Sequence, residues 1–131
     1  MEKQKILIAD DSEMNRALLV DILEDQYDIV EADNGAAAID LLTQCGGDFS
    51  LLLLDIMMPE MDGFEVLAYI NRYHLNDTLA VIMISADDSP ANIKRAYDLG
   101  AFDYISRPFD AAIVRRRISN TMLLYARQRH L

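Results

Sequence analysis

Short runs of consecutive apolar residues alternate along this chain with longer stretches in which apolar residues return every three or four positions. Lys5-Ile6-Leu7-Ile8-Ala9, Leu51-Leu52-Leu53-Leu54 and Leu79-Ala80-Val81-Ile82-Met83-Ile84 have the length of buried strands. Asp28-Ile29-Val30-Glu31-Ala32 and Phe102-Asp103-Tyr104-Ile105 are shorter and more mixed, as strands at the edges of a sheet would be. Leucine is a good helix former, so the run at 51–54 is ambiguous alone. Its brevity and its place in the alternation decide for strand.

Helical spacing fills the intervals. Ala17, Leu18, Val20, Ile22 and Leu23 predict a first helix, and Ala36, Ala38, Ile39, Leu41 and Leu42 a second that stops at Gly46-Gly47. Phe64, Val66, Leu67 and Ile70 predict a third, opened by Asp62 with Glu65 three residues on, the pattern of a capping box. Ser89-Pro90 opens a fourth, since proline suits the first helical position, and Gly100 closes it. The last begins near Asp110 and carries Ile113, Val114, Ile118, Met122, Leu123 and Tyr125 toward the C-terminus.

Strand and helix thus alternate five times. Strands joined through helices run parallel, and right-handed crossovers place helices on both faces of one sheet. The expectation is an α/β doubly wound domain over residues 4–125, with 126–131 as a C-terminal helical extension that reads either as the start of a linker to a further domain or as the exposed end of a stand-alone domain. Ligands of such sheets bind beyond the carboxyl ends of the strands, where the strand order reverses.

Composition narrows the class further. The 131 residues, 52% apolar and 26% charged, suit one globular domain and not a disordered chain. The formal net charge of -10 is uneven: residues 1–100 carry 20 acidic and 6 basic side chains, residues 101–131 carry 2 and 6. An acidic body argues against direct nucleic-acid binding, and the successive Arg115, Arg116 and Arg117 read as a solvated face or a partner contact. Lone Cys45 has no partner for an internal disulfide and reads as a half-buried, inert thiol. Five apolar residues before Asp10-Asp11 are too few for an export signal, and no run approaches the ~20 residues of a membrane span. A cytoplasmic, soluble protein is the expectation. His130 has no companion ligand and reads as solvated.

The chemistry gathers at the predicted strand ends. Asp10-Asp11 follows the first strand, Asp55 the third, Ser85-Ala86 the fourth, and Arg107-Pro108 lies beyond the fifth. If the first and third strands are neighbours, their carboxylates crowd together, and like charges raise at least one pKa. A divalent cation relieves that repulsion, and an all-oxygen site suits Mg²⁺. One of Asp10 and Asp11 could equally serve as a helix cap, which leaves the acid on the third strand unexplained. A carboxylate can attack phosphorus to give an acyl phosphate, and phosphoryl transfer needs chiefly positioning and charge neutralisation.

With these residues in view, the chain resembles a response regulator receiver domain. The resemblance runs from residue 4 to about 125, carried by ILIADDS at 6–12, LLLLDIMMPEMDGFE at 51–65, VIMISA at 81–86 and GAFDYISRPF at 100–109. It implies a flavodoxin-like five-stranded sheet of order 2-1-3-4-5. It implies Asp55 as phosphoacceptor, Mg²⁺ held by Asp10, Asp11, Asp55 and the Met57 carbonyl, and backbone contacts to the phosphoryl group at Met57 and Ala86. Ser85 would be the hydroxyl that turns toward that group, and Tyr104 the aromatic that changes rotamer with it; Tyr104 also reads simply as cover for an edge strand. Pro59 and Gly63 would shape the loop after Asp55, and the Arg107–Pro108 bond would be cis.

One position departs from the family pattern, which has lysine where this chain has Arg107. Arginine is planar and forked and can clamp two oxygens, so the exchange is not conservative. Arg107 is expected to pair with the phosphoryl group on Asp55; the other reading has it in solvent or on an acid. Met57 and Asp87, two residues beyond Asp55 and Ser85, would flank the route of attacking water. The partners implied are a sensor histidine kinase or phosphotransfer protein, and a second copy docking through the fourth helix, fifth strand and fifth helix. Chemistry would be confined to the domain's own phosphorylation and dephosphorylation. Two other classes are weighed: a pseudo-receiver acting as an interaction module, and a Mg²⁺-dependent aspartyl-phosphate phosphatase. The phosphatase pattern has a second aspartate where Met57 stands.

Overall fold

β1 (Lys5–Ala9) pairs in parallel with β2 (Asp28–Ala32) on one side and with β3 (Phe49–Asp55) on the other. β4 (Ala80–Ser85) and β5 (Asp103–Ser106) extend the sheet beyond β3, giving the order β2-β1-β3-β4-β5. The structure, a computed structural model, describes residues 3–86 and 89–129; Asp87 and His130, named above, lie outside the described residues. The chain leaves β1 toward β2 and then returns to the opposite side of β1 as β3, so strand order reverses between β1 and β3. The doubly wound α/β architecture expected from the alternation is the one observed.

Five α-helices cover the two faces: α1 (Glu13–Leu23), α2 (Gly35–Cys45), α3 (Gly63–Arg72), α4 (Pro90–Asp98) and α5 (Ala111–Arg129). The two-residue period of a strand sorts the apolar runs into two cores. Ile6, Ile8, Leu51, Leu53, Ile82, Ile84 and Ile105 face α1 and α5, meeting Leu19, Leu23, Val114, Ile118 and Met122. Leu7, Ala9, Leu52, Leu54, Val81 and Met83 face the other way, onto Ala38, Leu42, Val66, Leu67, Ile70 and Ala96 of α2, α3 and α4. A sheet covered on both faces explains why its strands are unbroken apolar runs. Each fully buried leucine or isoleucine contributes roughly 1.5–3 kcal/mol by transfer from water.

The caps of α3 and α4 fall where the sequence placed them, whereas α1 is capped by Ser12 and not by Asp10 or Asp11. Ser12 accepts from the Asn15 N–H at the start of α1, Asp62 and Glu65 form a reciprocal capping box on α3, and Ser89 accepts from the Asn92 N–H ahead of Pro90. Gly100 follows α4 at φ 97°, a conformation that suits glycine. A turn of 3₁₀ helix, Gly46–Asp48, ends α2.

Some expectations shift. β3 begins two residues earlier than the leucine run, at Phe49, because Lys5 finds a partner there across an irregularity in the β1–β3 register. β4 and β5 each run one residue later than their apolar patterns, where Ser85 and Ser106 still pair across the sheet. The docking stripe of α1 is narrow, Leu19 and Leu23, so Ala17 and Leu18 turn outward. For the same reason Ile113 and Leu123 of α5 are exposed while Val114, Ile118 and Met122 dock. Cys45 is exposed, not half-buried: it is the last residue of α2, beyond Leu42, where the docked stripe ends.

The loop after β3 is held by its backbone. The Ile56 N–H donates to the Ile84 carbonyl (3.0 Å), and the Gly63 N–H donates to the Ile56 carbonyl (2.8 Å). A Cβ at Gly63 would lie 2.3 Å from the Asp55 carbonyl oxygen, so no side chain fits without moving the strand end. Gly63→Ala should therefore destabilise the fold by about 1–3 kcal/mol, the usual cost of overpacking, read as a lower urea midpoint with an unchanged slope.

Candidate functional site: an acidic pocket at the carboxyl edge

Alternation along the strands decides which side chains meet at the carboxyl edge. Ala9 pairs in register with Leu54, so Asp10 and Asp55 are the next residues along two adjacent strands. Two-residue steps from Ile8 and Leu53 put both acids on the α1–α5 side of the sheet. Asp11, in the turn before α1, completes the group: one carboxylate oxygen from each of Asp10, Asp11 and Asp55 lies within 4.8 Å of the others. Asp10 and Asp55 are buried, at 0% and 1% exposure, whereas Asp11 is exposed. The same two-residue step from Ile105 brings Arg107 to this side, and the Arg107–Pro108 bond that follows is cis.

Arg107 is the cation of the pocket. Its Nη2 donates to Asp55 Oδ1 (3.1 Å), and its Nη1 stands 3.8 Å from Asp10 Oδ2. The main chain supplies two further donors: the Met57 N–H to Asp55 Oδ1 (3.3 Å) and the Ser12 N–H to Asp10 Oδ1 (2.9 Å). Asp10 Oδ2 remains buried without a hydrogen-bond partner. Burial pushes the Asp55 carboxyl up to about 7, and the charge of Asp10 adds to the rise; Arg107 and the Met57 N–H act against it but do not cancel it.

These observations fit a hard divalent cation. Three convergent carboxylates, one with an orphaned buried oxygen, offer an all-oxygen donor set that carries more negative charge than one guanidinium neutralises. Met57 itself is 67% exposed at the rim. No acid stands at that position, where the phosphatase pattern has its second aspartate.

Ser85 and Tyr104 belong to the other face. Tyr104 is buried in the core shared with α2, α3 and α4 and pairs in register with Met83. Ser85, fully buried at the end of β4, falls on the same side by alternation, and its carbonyl accepts from the Arg107 N–H (2.9 Å). Ala86 is exposed at the edge. Sequence reading overlooked Arg16. Its Nη1 donates to the Asp10 carbonyl (2.7 Å) and its Nε to Glu31 Oε1 (3.0 Å). A signal existed: Arg16 is the only basic residue between Lys5 and Arg72.

The chain is similar to known proteins in sequence and in fold. A family profile described as the response regulator receiver domain matches residues 6–119. The chemotaxis protein CheY of Halobacterium salinarum is 35% identical over 123 residues, which cover 93% of this chain and 98% of that one. The transcriptional regulatory protein SrrA of Staphylococcus aureus is 34% identical, covering 90% of this chain and 51% of its own. Among solved structures, a chain of the CheX–CheY–BeF₃–Mg²⁺ complex from Borrelia burgdorferi superposes with a TM-score of 0.86 at 30% identity, over 92% of this chain and 90% of that one. The chain spans about half or less of the length of several curated relatives. No helix among the described residues is long and apolar enough to cross a membrane.

The raised acid makes stability depend on pH. Between the ordinary 3.8 and about 7 the folded protein keeps a proton on Asp55 that the unfolded chain has released. The stability this provides is complete at low pH and is lost as pH rises through 7. In chelator-treated buffer at about pH 8, Asp55→Asn should exceed the wild type in urea-unfolding stability by about 1–2 kcal/mol, the gain vanishing below about pH 4.

Proposed function

The chain belongs to the response regulator receiver domain family, a signalling family, and on that basis we propose that it accepts a phosphoryl group on Asp55 from a phosphohistidine donor. The observation that carries this reading is the buried Asp55 carboxylate, sharing its pocket with two more acids and one guanidinium.

Asp55 would attack phosphorus through a carboxylate oxygen. The new O–P bond forms as the P–N bond to the donor imidazole breaks, and the donor ring, protonated on its other nitrogen, keeps the bonding pair and leaves as neutral imidazole. Mg²⁺ held by Asp10, Asp11, Asp55 and the Met57 carbonyl would supply positive charge against the phosphoryl oxygens. Arg107, already on Asp55, would turn to the oxygens of the incoming group, and its fork can engage two. The Met57 and Ala86 N–H groups would complete the cradle.

The output is a shift between two conformations. Ser85 and Tyr104 share a face of the sheet, and Tyr104 lies in the core that contains Ala96 of α4. A Ser85 hydroxyl drawn toward the phosphoryl group would release space on that side, and Tyr104 would move into it. The altered surface would be that of α4, β5 and α5, where a partner or a second copy docks. A sensor histidine kinase or phosphotransfer protein is the donor we assign, acting in the cytoplasm. Relatives of both lengths occur, with CheY covered to 98% and SrrA to 51%, so a receiver over residues 4–125 suits a free-standing chain as well as one joined to an output region.

Incubation with a small-molecule acyl phosphate and Mg²⁺ should add one phosphoryl group to the wild type by intact mass and none to Asp55→Asn. An unmodified wild type under these conditions would leave the interaction-module reading in place. Arg107→Ala should slow the modification by about 100-fold, the low end of the range seen when one charge-stabilising donor is removed, and should abolish the accompanying changes in the Tyr104 NMR signals.

A further inference from the structure

Asp10 is placed by its own backbone as much as by its side chain. Its N–H still pairs with the Ala32 carbonyl of β2 (3.1 Å), the last rung on that side of β1. Its carbonyl finds no strand beyond that point and accepts instead from Arg16 Nη1 at 2.7 Å. Arg16 is one turn into α1, and its own N–H donates to the carbonyl of the Ser12 cap (3.0 Å). The Ser12 N–H in turn donates to Asp10 Oδ1. The residues from 10 to 16 therefore close on themselves through three hydrogen bonds, with the free Oδ2 of Asp10 left aimed into the acidic pocket.

The guanidinium is itself anchored. Its Nε donates to Glu31 Oε1 (3.0 Å), and Glu31 stands on β2 beside Ala32, the residue that receives the Asp10 N–H. Only 15% of the Arg16 side chain is exposed. Glu13, Asp21 and Glu24 line the same groove, yet the hydrogen bond goes to the one acid on a strand. A helix residue held to a rigid strand can fix a loop carbonyl; one held to another helix residue would move with its own helix.

We propose that Arg16, oriented by Glu31, is a positioning residue for the divalent-cation site: by holding the Asp10 carbonyl it sets the direction of the Asp10 and Asp11 carboxylates. The proposal rests on the metal-dependent reading above. Groups that orient metal ligands typically govern affinity by about 10–100-fold. Arg16 touches neither the cation nor the phosphoryl group, so its effect passes through Asp10 alone.

Calorimetric titration with MgCl₂ alone, on the full chain, tests it. Arg16→Gln should bind about tenfold more weakly than the wild type. Arg16→Lys, which keeps a cation near the carbonyl, should recover most of that loss, and exposed Glu31→Gln should lose about threefold. In metal-free protein, amide exchange at Ser12 should quicken in Arg16→Gln, since its acceptor Asp10 is no longer held. A merely structural arginine would lower the metal-free urea midpoint and leave the affinity of the folded protein unchanged. Wild-type affinity in Arg16→Gln, or unaltered Ser12 protection, overturns the proposal while leaving metal binding intact. A wild type that gives no Mg²⁺ heat removes the metal reading itself, and this inference with it.

Discussion

Two carboxylates sit side by side at the ends of adjacent parallel strands, almost wholly out of water, with a third acid at their rim and one guanidinium between them. Neighbouring β1 and β3 leave the acids no room to separate, because the register that pairs Ala9 with Leu54 also makes Asp10 and Asp55 neighbours. Coulomb repulsion between charges a few ångströms apart falls little with small side-chain rotations. Relief must come from protons, from cations or from N–H dipoles, and the surrounding structure can be read as the supply of those three. Burial and Asp10 hold a proton on Asp55 up to about pH 7; Arg107 brings charge; Met57 and Ser12 bring N–H groups.

The same alternation separates binding from response. Asp10, Asp55 and Arg107 lie on the side covered by α1 and α5, whereas Ser85 and Tyr104 face α2, α3 and α4. A group bound on Asp55 can therefore influence the far core only at the strand ends, where the sheet no longer divides the two faces. Arg107 joins both sides there: its guanidinium pairs with Asp55, and its N–H donates to the Ser85 carbonyl. A change in the acid's charge is felt by a residue whose main chain is bonded to the strand carrying the hydroxyl. Closely packed interiors turn such small displacements into alternative arrangements more readily than into gradual ones.

Much of this was legible before any coordinates. Runs of four to six apolar residues, separated by helical repeats with caps at Asp62 and Ser89 and a stop at Gly100, determine a parallel sheet with its loops at one edge, and the acids fall in those loops. What the pattern leaves out is geometry transverse to the chain. The narrow stripe of α1 is invisible in a segment where Ala17, Leu18, Leu19, Val20, Ile22 and Leu23 are all apolar, so the outward turn of Leu18 needs the packed helix. Cys45 looked half-buried because it continues an apolar helix, yet α2 outruns the sheet there. Arg16 was missed because its acceptors are a main-chain carbonyl six residues back and an acid on another strand; neither has a local sequence signature. The strand order came through likeness of motif, since alternation alone permits several.

Arg107 shows how one substitution can alter the balance in this pocket without altering the fold. An ammonium is a compact charge that must choose a position, and drawn close to Asp55 it would leave Asp10 less well compensated. A guanidinium spreads its charge over three nitrogens, and here Nη2 reaches Asp55 while Nη1 stands 3.8 Å from the unpartnered oxygen of Asp10. The pocket without metal is thus partly neutralised from within, by a group attached to β5. That compensation is incomplete, because the second contact is too long for a good hydrogen bond and the Asp55 carboxyl remains raised. A site satisfied entirely by its own arginine would have little affinity left for a divalent cation; one with no cation would be harder to fold. The geometry lies between these extremes, stable enough to keep its acids buried and unsatisfied enough to bind charge from outside.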